Sequence, residues 1–165
     1  MILCPNTSPL LVLARMDRLD LLGDPALVVV PAAVLEEVRD KLDEAAARVD
    51  RLFLSGARTV TVEPPDEVDV LHSLGRGERS VIAWVRARTE PTTAVLDDAA
   101  ARAEAARHKL RFVGTLGLFL RARTNGRIER VSPLVREALR AGLYLDDGTL
   151  ERAMKSVGEE WRAED

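Results

Sequence analysis

Residues 92–103 read TTAVLDDAAARA. The run TAVL (93–96) ends abruptly in two carboxylates, Asp97 and Asp98, and an alanine-rich stretch follows. A short apolar run handing over directly to good helix formers is a strand-to-helix junction. The same handover recurs on both sides of it. MILC (1–4) reads as a strand, and Asn6, Ser8 and Pro9 start a helix, cap-type side chains being followed by a residue of pre-set φ. ALVVV (26–30) is a β-branched strand; Pro31 opens a helix through AAVLEEVRDKLDEAAARV, with Val34, Leu35, Val38, Leu42, Ala45 and Val49 on its apolar stripe. RTVTVE (58–63) alternates as a strand, PPDEVDV is a turn leading to a short helix, and GRGE (75–78) starts the helix that precedes TAVL. LRFVG (110–114) is a last strand, and TLGLFLRART is a helix ended by Asn125-Gly126. Two more helices follow, one begun by Ser132-Pro133 and ended by Gly142, the other led by Asp146, Asp147 and Gly148.

Strands separated by helices of this length imply parallel pairing through right-handed crossovers. The expected fold is α/β, a three-layer α/β/α sandwich around a central parallel sheet, with the final two helices as a C-terminal extension. The chain has 165 residues, of which 47% are apolar, enough for the core of one ordinary domain. Only 4% are aromatic, so Leu, Val, Ala and Ile must build that core. The single cysteine, Cys4, excludes an internal disulfide and reads as a small buried apolar residue. No apolar run is long enough to span a membrane and the N-terminus lacks a signal-peptide pattern, so a cytoplasmic location is expected. The net charge of −3 is unevenly spread: between Ala99 and Arg130 eight cations face only Glu104 and Glu129. A basic zone on an acidic chain points to a polyanion, although a solvated arginine-rich helix face looks the same.

In an open parallel sheet ligands bind beyond the carboxyl ends of the strands. Asn6 follows the first strand, Glu36 and Glu37 sit in the helix after the second, Glu78 starts the helix before TAVL, and Asp97 and Asp98 follow TAVL directly. Each has a plain explanation as a helix cap or as a charge matched to a helix dipole. Crowded on one rim, however, unpaired carboxylates repel each other unless a cation joins them. Oxygen donors without histidine suit Mg²⁺ or Mn²⁺, ions that serve phosphodiester hydrolysis. One aspartate of the pair is expected to cap while its neighbour points at metal. His72 and His108 are isolated, and no phosphate-loop or dinucleotide fingerprint is present.

NTSPLLVLARMDRLDLL, VVVPAAVLEEV, LGRGERSVIAWV, LDDAAARAEA and FVGTLGLFL, in that order, resemble the PIN-domain family, and in particular its VapC-like predicted ribonucleases with an Asn-Thr-Ser-Pro-Leu first motif. The resemblance implies a PIN-like domain over 1–130, with 131–165 as a C-terminal helical extension of the same domain. It also implies a metal-dependent endoribonuclease of the kind found as the toxin of toxin–antitoxin pairs, with RNA as substrate, Mg or Mn as cofactor, an antitoxin protein as partner and a homodimer as assembly. Carried over residue by residue, the acidic cluster maps onto Glu37, Glu78 and Asp98, with Asp97 as a further candidate ligand and Glu37 preferred to Glu36. Thr7, Ser8, Arg102 and Thr115 are the expected substrate-binding residues, with other arginines of the basic zone gripping the RNA backbone. Catalytic PIN domains begin this cluster with aspartate, whereas this chain has Asn6, whose amide oxygen can ligate a hard cation without contributing charge. The alternative expectation is therefore a weak or inactive PIN module that binds RNA or a protein partner.

Overall fold

The computed structural model describes residues 1–23, 27–54, 59–62, 70 and 72–162. Among these residues the chain runs β1 (Ile2–Pro5), α1 (Thr7–Arg15), α2 (Asp20–Gly23), β2 (Leu27–Pro31), α3 (Ala32–Arg39), α4 (Glu44–Leu54), β3 (Thr59–Val62), α5 (Arg76–Arg86), β4 (Thr92–Val95), α6 (Ala99–Arg107), β5 (Arg111–Val113), α7 (Thr115–Thr124), α8 (Ser132–Arg140) and α9 (Asp147–Ser156). All five strands pair in parallel, in the order β3-β2-β1-β4-β5. Helices flank the sheet, giving the α/β/α sandwich that the strand–helix alternation implies. The segment PPDEVDV lies outside the described residues except for Val70, which is buried.

Burial explains the strand composition. Leu3, Cys4, Val28, Val29, Val30, Ala94 and Val95 are all buried, as parallel strands covered on both faces must be. Helices supply the other half of the core through Leu10, Leu13, Val34, Val81, Ile82 and Phe119, each fully enclosed. Burying one such side chain contributes about 1.5–3 kcal/mol. Leu134, Val135 and Ala138 of α8 and Leu150 and Met154 of α9 belong to the same hydrophobic cluster.

One expected element is corrected. The helix read as continuous from Pro31 to Val49 is two helices, α3 and α4, broken at residues 40–43. Asp43 is the reason: its Oδ1 accepts from Ala46 N–H at 2.9 Å and caps α4, a better use of an aspartate than a helix interior. The break is closed by Leu42 at φ +52, and Leu42 is 91% exposed rather than part of the apolar stripe. The sheet order sets the place of the site. The chain winds outward from β1 to β2 and β3, then crosses back to build β4 and β5 on the other side of β1. The connections therefore diverge between β1 and β4, and a crevice opens at their carboxyl ends.

Candidate active site

Asn6 stands at that crevice. Its backbone N–H donates to Val95 O at 3.0 Å, tying the exit of β1 to the end of β4. It occupies the N-cap position of α1, yet its side chain makes no capping hydrogen bond. Asn6 is 6% exposed, and its Oδ1 is fully buried without a hydrogen-bond partner among the described residues. A buried acceptor left unpaired costs on the order of 1–3 kcal/mol and calls for an explanation. Capping, the plain reading of this residue, does not supply one.

Glu37, on α3, comes to the same place. The Thr7 hydroxyl donates to its Oε2, and Gly77 N–H donates to its Oε1 at 2.8 Å. Glu36 points elsewhere, pairing with Arg76 at 2.6 Å on the surface. The carboxylate of Glu37 and the amide oxygen of Asn6 both crowd Gly77. A Cβ there would stand 2.5 Å from Glu37 Oε2 and 2.9 Å from Asn6 Oδ1. Gly77 has no positive φ that demands glycine; it is glycine because the two oxygens need the space. The sequence reading took GRGE only as a helix start and missed this role, since nothing local distinguishes a spatial glycine from a flexible one.

Glu78 lines the same cavity, about 400 Å³ in volume, together with Asn6, Thr7, Ser8 and Glu37. Its Oε2 accepts from Gly75 N–H at 2.9 Å, so the carboxylate also closes the N-terminus of α5. Burial pushes its pKa up against that hydrogen bond, and the charges of Asp98 and Glu37 push it further. Asp98 and Glu37 are thus each close enough to Glu78 for their charge to reach it. Asp98 itself caps α6, accepting from Ala101 N–H at 2.9 Å.

Asp97 turns away from this group. Its two oxygens accept from Thr115 N–H and Thr115 Oγ1, each at 2.7 Å. Burial raises its pKa, opposed by those two hydrogen bonds and by Arg102. Thr115 is fully buried, so it holds Asp97 and presents no surface to a substrate. Asp97 and Arg102 line a separate cavity of about 440 Å³ with Phe112, Leu116 and Arg152. The expectation that one aspartate caps holds for Asp98; its neighbour points at Thr115.

Cations of the basic zone also make contacts within the protein. Arg107 pairs with the buried Glu104 at 2.7 Å, Arg127 with Asp20 at 3.5 Å, and Arg121 contacts the Met1 sulfur. Arg102 lies over the Phe112 ring, 5.8 Å from its centroid. None of the zone's cations lines the cavity of Asn6 and Glu78; the cations there are Arg15 and Lys41.

The donor set in this cavity is all oxygen, which suits a hard divalent ion. The unpaired Asn6 Oδ1 beside Glu37 fits such an ion. Among the described residues no three histidine, cysteine, aspartate or glutamate side chains stand together in metal-holding geometry. A third ligand would have to come from Glu78 or Asp98, each now engaged with a backbone N–H.

A search of curated proteins returned no match. No helix among the described residues is long and apolar enough to cross a membrane. The family model described as PIN domain matches residues 2–159, nearly the whole chain and both of its last helices. With the parallel sheet, the β1–β4 crevice and the acidic residues around it, this chain belongs to the PIN-domain family.

Proposed function

We propose that the protein is an endoribonuclease that uses Mg²⁺ or Mn²⁺ and cuts single-stranded RNA at the cavity of Asn6, Glu37 and Glu78. The observation that carries this reading is the buried, unpartnered Oδ1 of Asn6 next to the Glu37 carboxylate. Asn6, Glu37 and Glu78 would hold the ion, with Asp98 as the nearby fourth candidate. When bound, the ion supplies charge neutralisation at the phosphoryl oxygens and lowers the pKa of water. The protein does the rest. Thr7 and Gly77 orient Glu37 from both of its oxygens. Glu78, its pKa raised by burial and by its acidic neighbours, gains from the neutralising charge of such an ion. Ser8, exposed on the cavity wall, can donate to a phosphate oxygen.

The test is cleavage of a labelled single-stranded RNA in millimolar Mn²⁺. Activity should vanish with EDTA and in Glu78→Gln; cleavage that persists in Glu78→Gln removes this assignment. Two observations favour the second reading, a PIN module that binds RNA or a partner protein and does not cut: Asn6 brings no charge, and among the described residues no acidic triad stands ready for metal. RNA binding equal with and without Mn²⁺, and no product at any metal concentration, selects it. A homodimer and an antitoxin partner belong to the toxin reading. Light scattering should then give twice the 18.1 kDa chain mass, and a single-chain mass removes the dimer.

A further inference from the structure

The cavity of Asn6, Glu37 and Glu78 is not acidic throughout. It is also lined by Arg15 of α1 and by Lys41 from the break after α3. Arg15 is committed to holding elements together: its Nη1 donates to Ala141 O at 2.9 Å, and its Nη2 lies 3.7 Å from Asp43. Lys41 is different. It stands four residues after Glu37, the spacing at which a helical Glu–Lys pair would form. Glu37 has already given one oxygen to Thr7 and the other to Gly77. Lys41 is exposed, and among the described residues no acidic side chain pairs with it. The chain draws nearly all its cations from arginine, and Lys41 is one of only three lysines. An ammonium on a flexible stem is a mobile point charge, suited to a phosphate that moves. The turn that carries it is fixed by Leu42 at φ +52, a conformation that costs a side-chain-bearing residue about 1–2 kcal/mol.

We propose that Lys41 is a phosphate-binding residue of this cavity. Its ammonium holds a backbone phosphate of single-stranded RNA while the scissile group lies against Asn6, Glu37 and Glu78; Arg15 is its fixed neighbour. This rests on the ribonuclease reading and deepens it. It also answers an electrostatic difficulty, because a polyanion brought to these carboxylates needs a cation on the protein side of the contact.

The experiment is fluorescence anisotropy of a labelled single-stranded RNA oligonucleotide across a salt series, in EDTA and again in Mn²⁺. Lys41→Gln should weaken binding roughly 3- to 10-fold and flatten the plot of log affinity against log salt by about 0.7, the loss of one phosphate contact. Lys41→Arg should restore both. Lys155→Gln, exposed on α9 and outside the lining of the cavity, should change neither. If Lys41→Gln binds like the wild type, or if Lys155→Gln loses as much, Lys41 has no such role and the ribonuclease reading stands without it. If the wild type binds RNA in neither condition, both fall together.

Discussion

Three side-chain positions decide what this crevice can do, and each makes a separate prediction. Gly77 leaves room for two oxygens, and a methyl group there would stand 2.5 Å from Glu37 Oε2. Glu37 is pinned by Thr7 and by Gly77 itself, so it cannot swing aside freely. Gly77→Ala should therefore cost about 1–3 kcal/mol in denaturant unfolding and depress RNA cleavage as well. Stability equal to the wild type would mean that Glu37 relaxes easily. Glu78 predicts the opposite sign for stability. Its folded pKa is raised by burial first and by Asp98 and Glu37 after that. A carboxyl group of this kind favours the folded state when protonated, and that contribution is lost as pH rises through the folded pKa. At pH 7 the charged group is thus a liability, and Glu78→Gln, whose amide oxygen can still accept from Gly75, should melt higher than the wild type. The gap should close as pH falls through the carboxylate range. Thermal melts of the two proteins from pH 4 to 8 check it, and a variant that melts lower at pH 7 refutes it.

At the scale of elements, caps explain where helices stop and start, and one of them sits in the acidic group. Asp98 anchors α6 through Ala101 N–H. Asp98→Ala should cost about 1 kcal/mol of stability, whereas Asp98→Asn should cost little, because asparagine caps as well. If Asp98 also serves the metal, both variants lose cleavage while only Ala loses stability, so the pair separates the two roles. The break between α3 and α4 gives a second case. Leu42 holds φ +52 with its side chain 91% exposed, so it gains nothing from burial. Leu42→Gly should stabilise by roughly 1 kcal/mol, since glycine adopts this conformation without strain. A loss of stability would show that the Leu42 side chain is held by contacts in the folded protein.

Across the whole molecule, the segment after α9 fastens the last helices to each other. Glu159 reaches back to the start of α8, its two oxygens accepting from Val131 N–H at 2.7 Å and Ser132 N–H at 2.8 Å. Partial burial works against its ionised form, but these hydrogen bonds and Arg130 outweigh it and hold its pKa below the usual carboxylate range. A depressed folded pKa contributes stability above the unfolded value, and that stability is lost as pH falls through the folded one. Glu159→Gln should thus be less stable at pH 7 and show a shallower loss on acidification than the wild type. Equal acid limbs in chemical unfolding at several pH values would count against this. Trp161, two residues on, lies under Arg136 with its ring centroid 4.7 Å from the guanidinium carbon. This second clasp joins the same tail to α8.

Local chemistry alone dictated much of this protein. The β-branched and apolar runs at 2–5, 27–31 and 92–95 became buried parallel strands because no other element of that length hides continuous apolar sequence between helices. Pro31 and Asp98 marked helix starts because φ pre-setting and capping act over only a few residues. The motif order also pointed to the PIN-domain family. Tertiary structure decided the rest. Asp97 and Asp98 are neighbours in the chain, yet one faces Thr115 and the other its own helix. Asn6 looks like a cap in sequence and is an unpaired acceptor in space. Gly77 carries no local signal, because its meaning lies in Asn6 and Glu37, which approach it only when the chain crosses back from the β2–β3 side of the sheet. Periodicity and capping are short-range and readable along the chain, whereas a site is a set of distances between residues far apart in it, and only folding sets those distances.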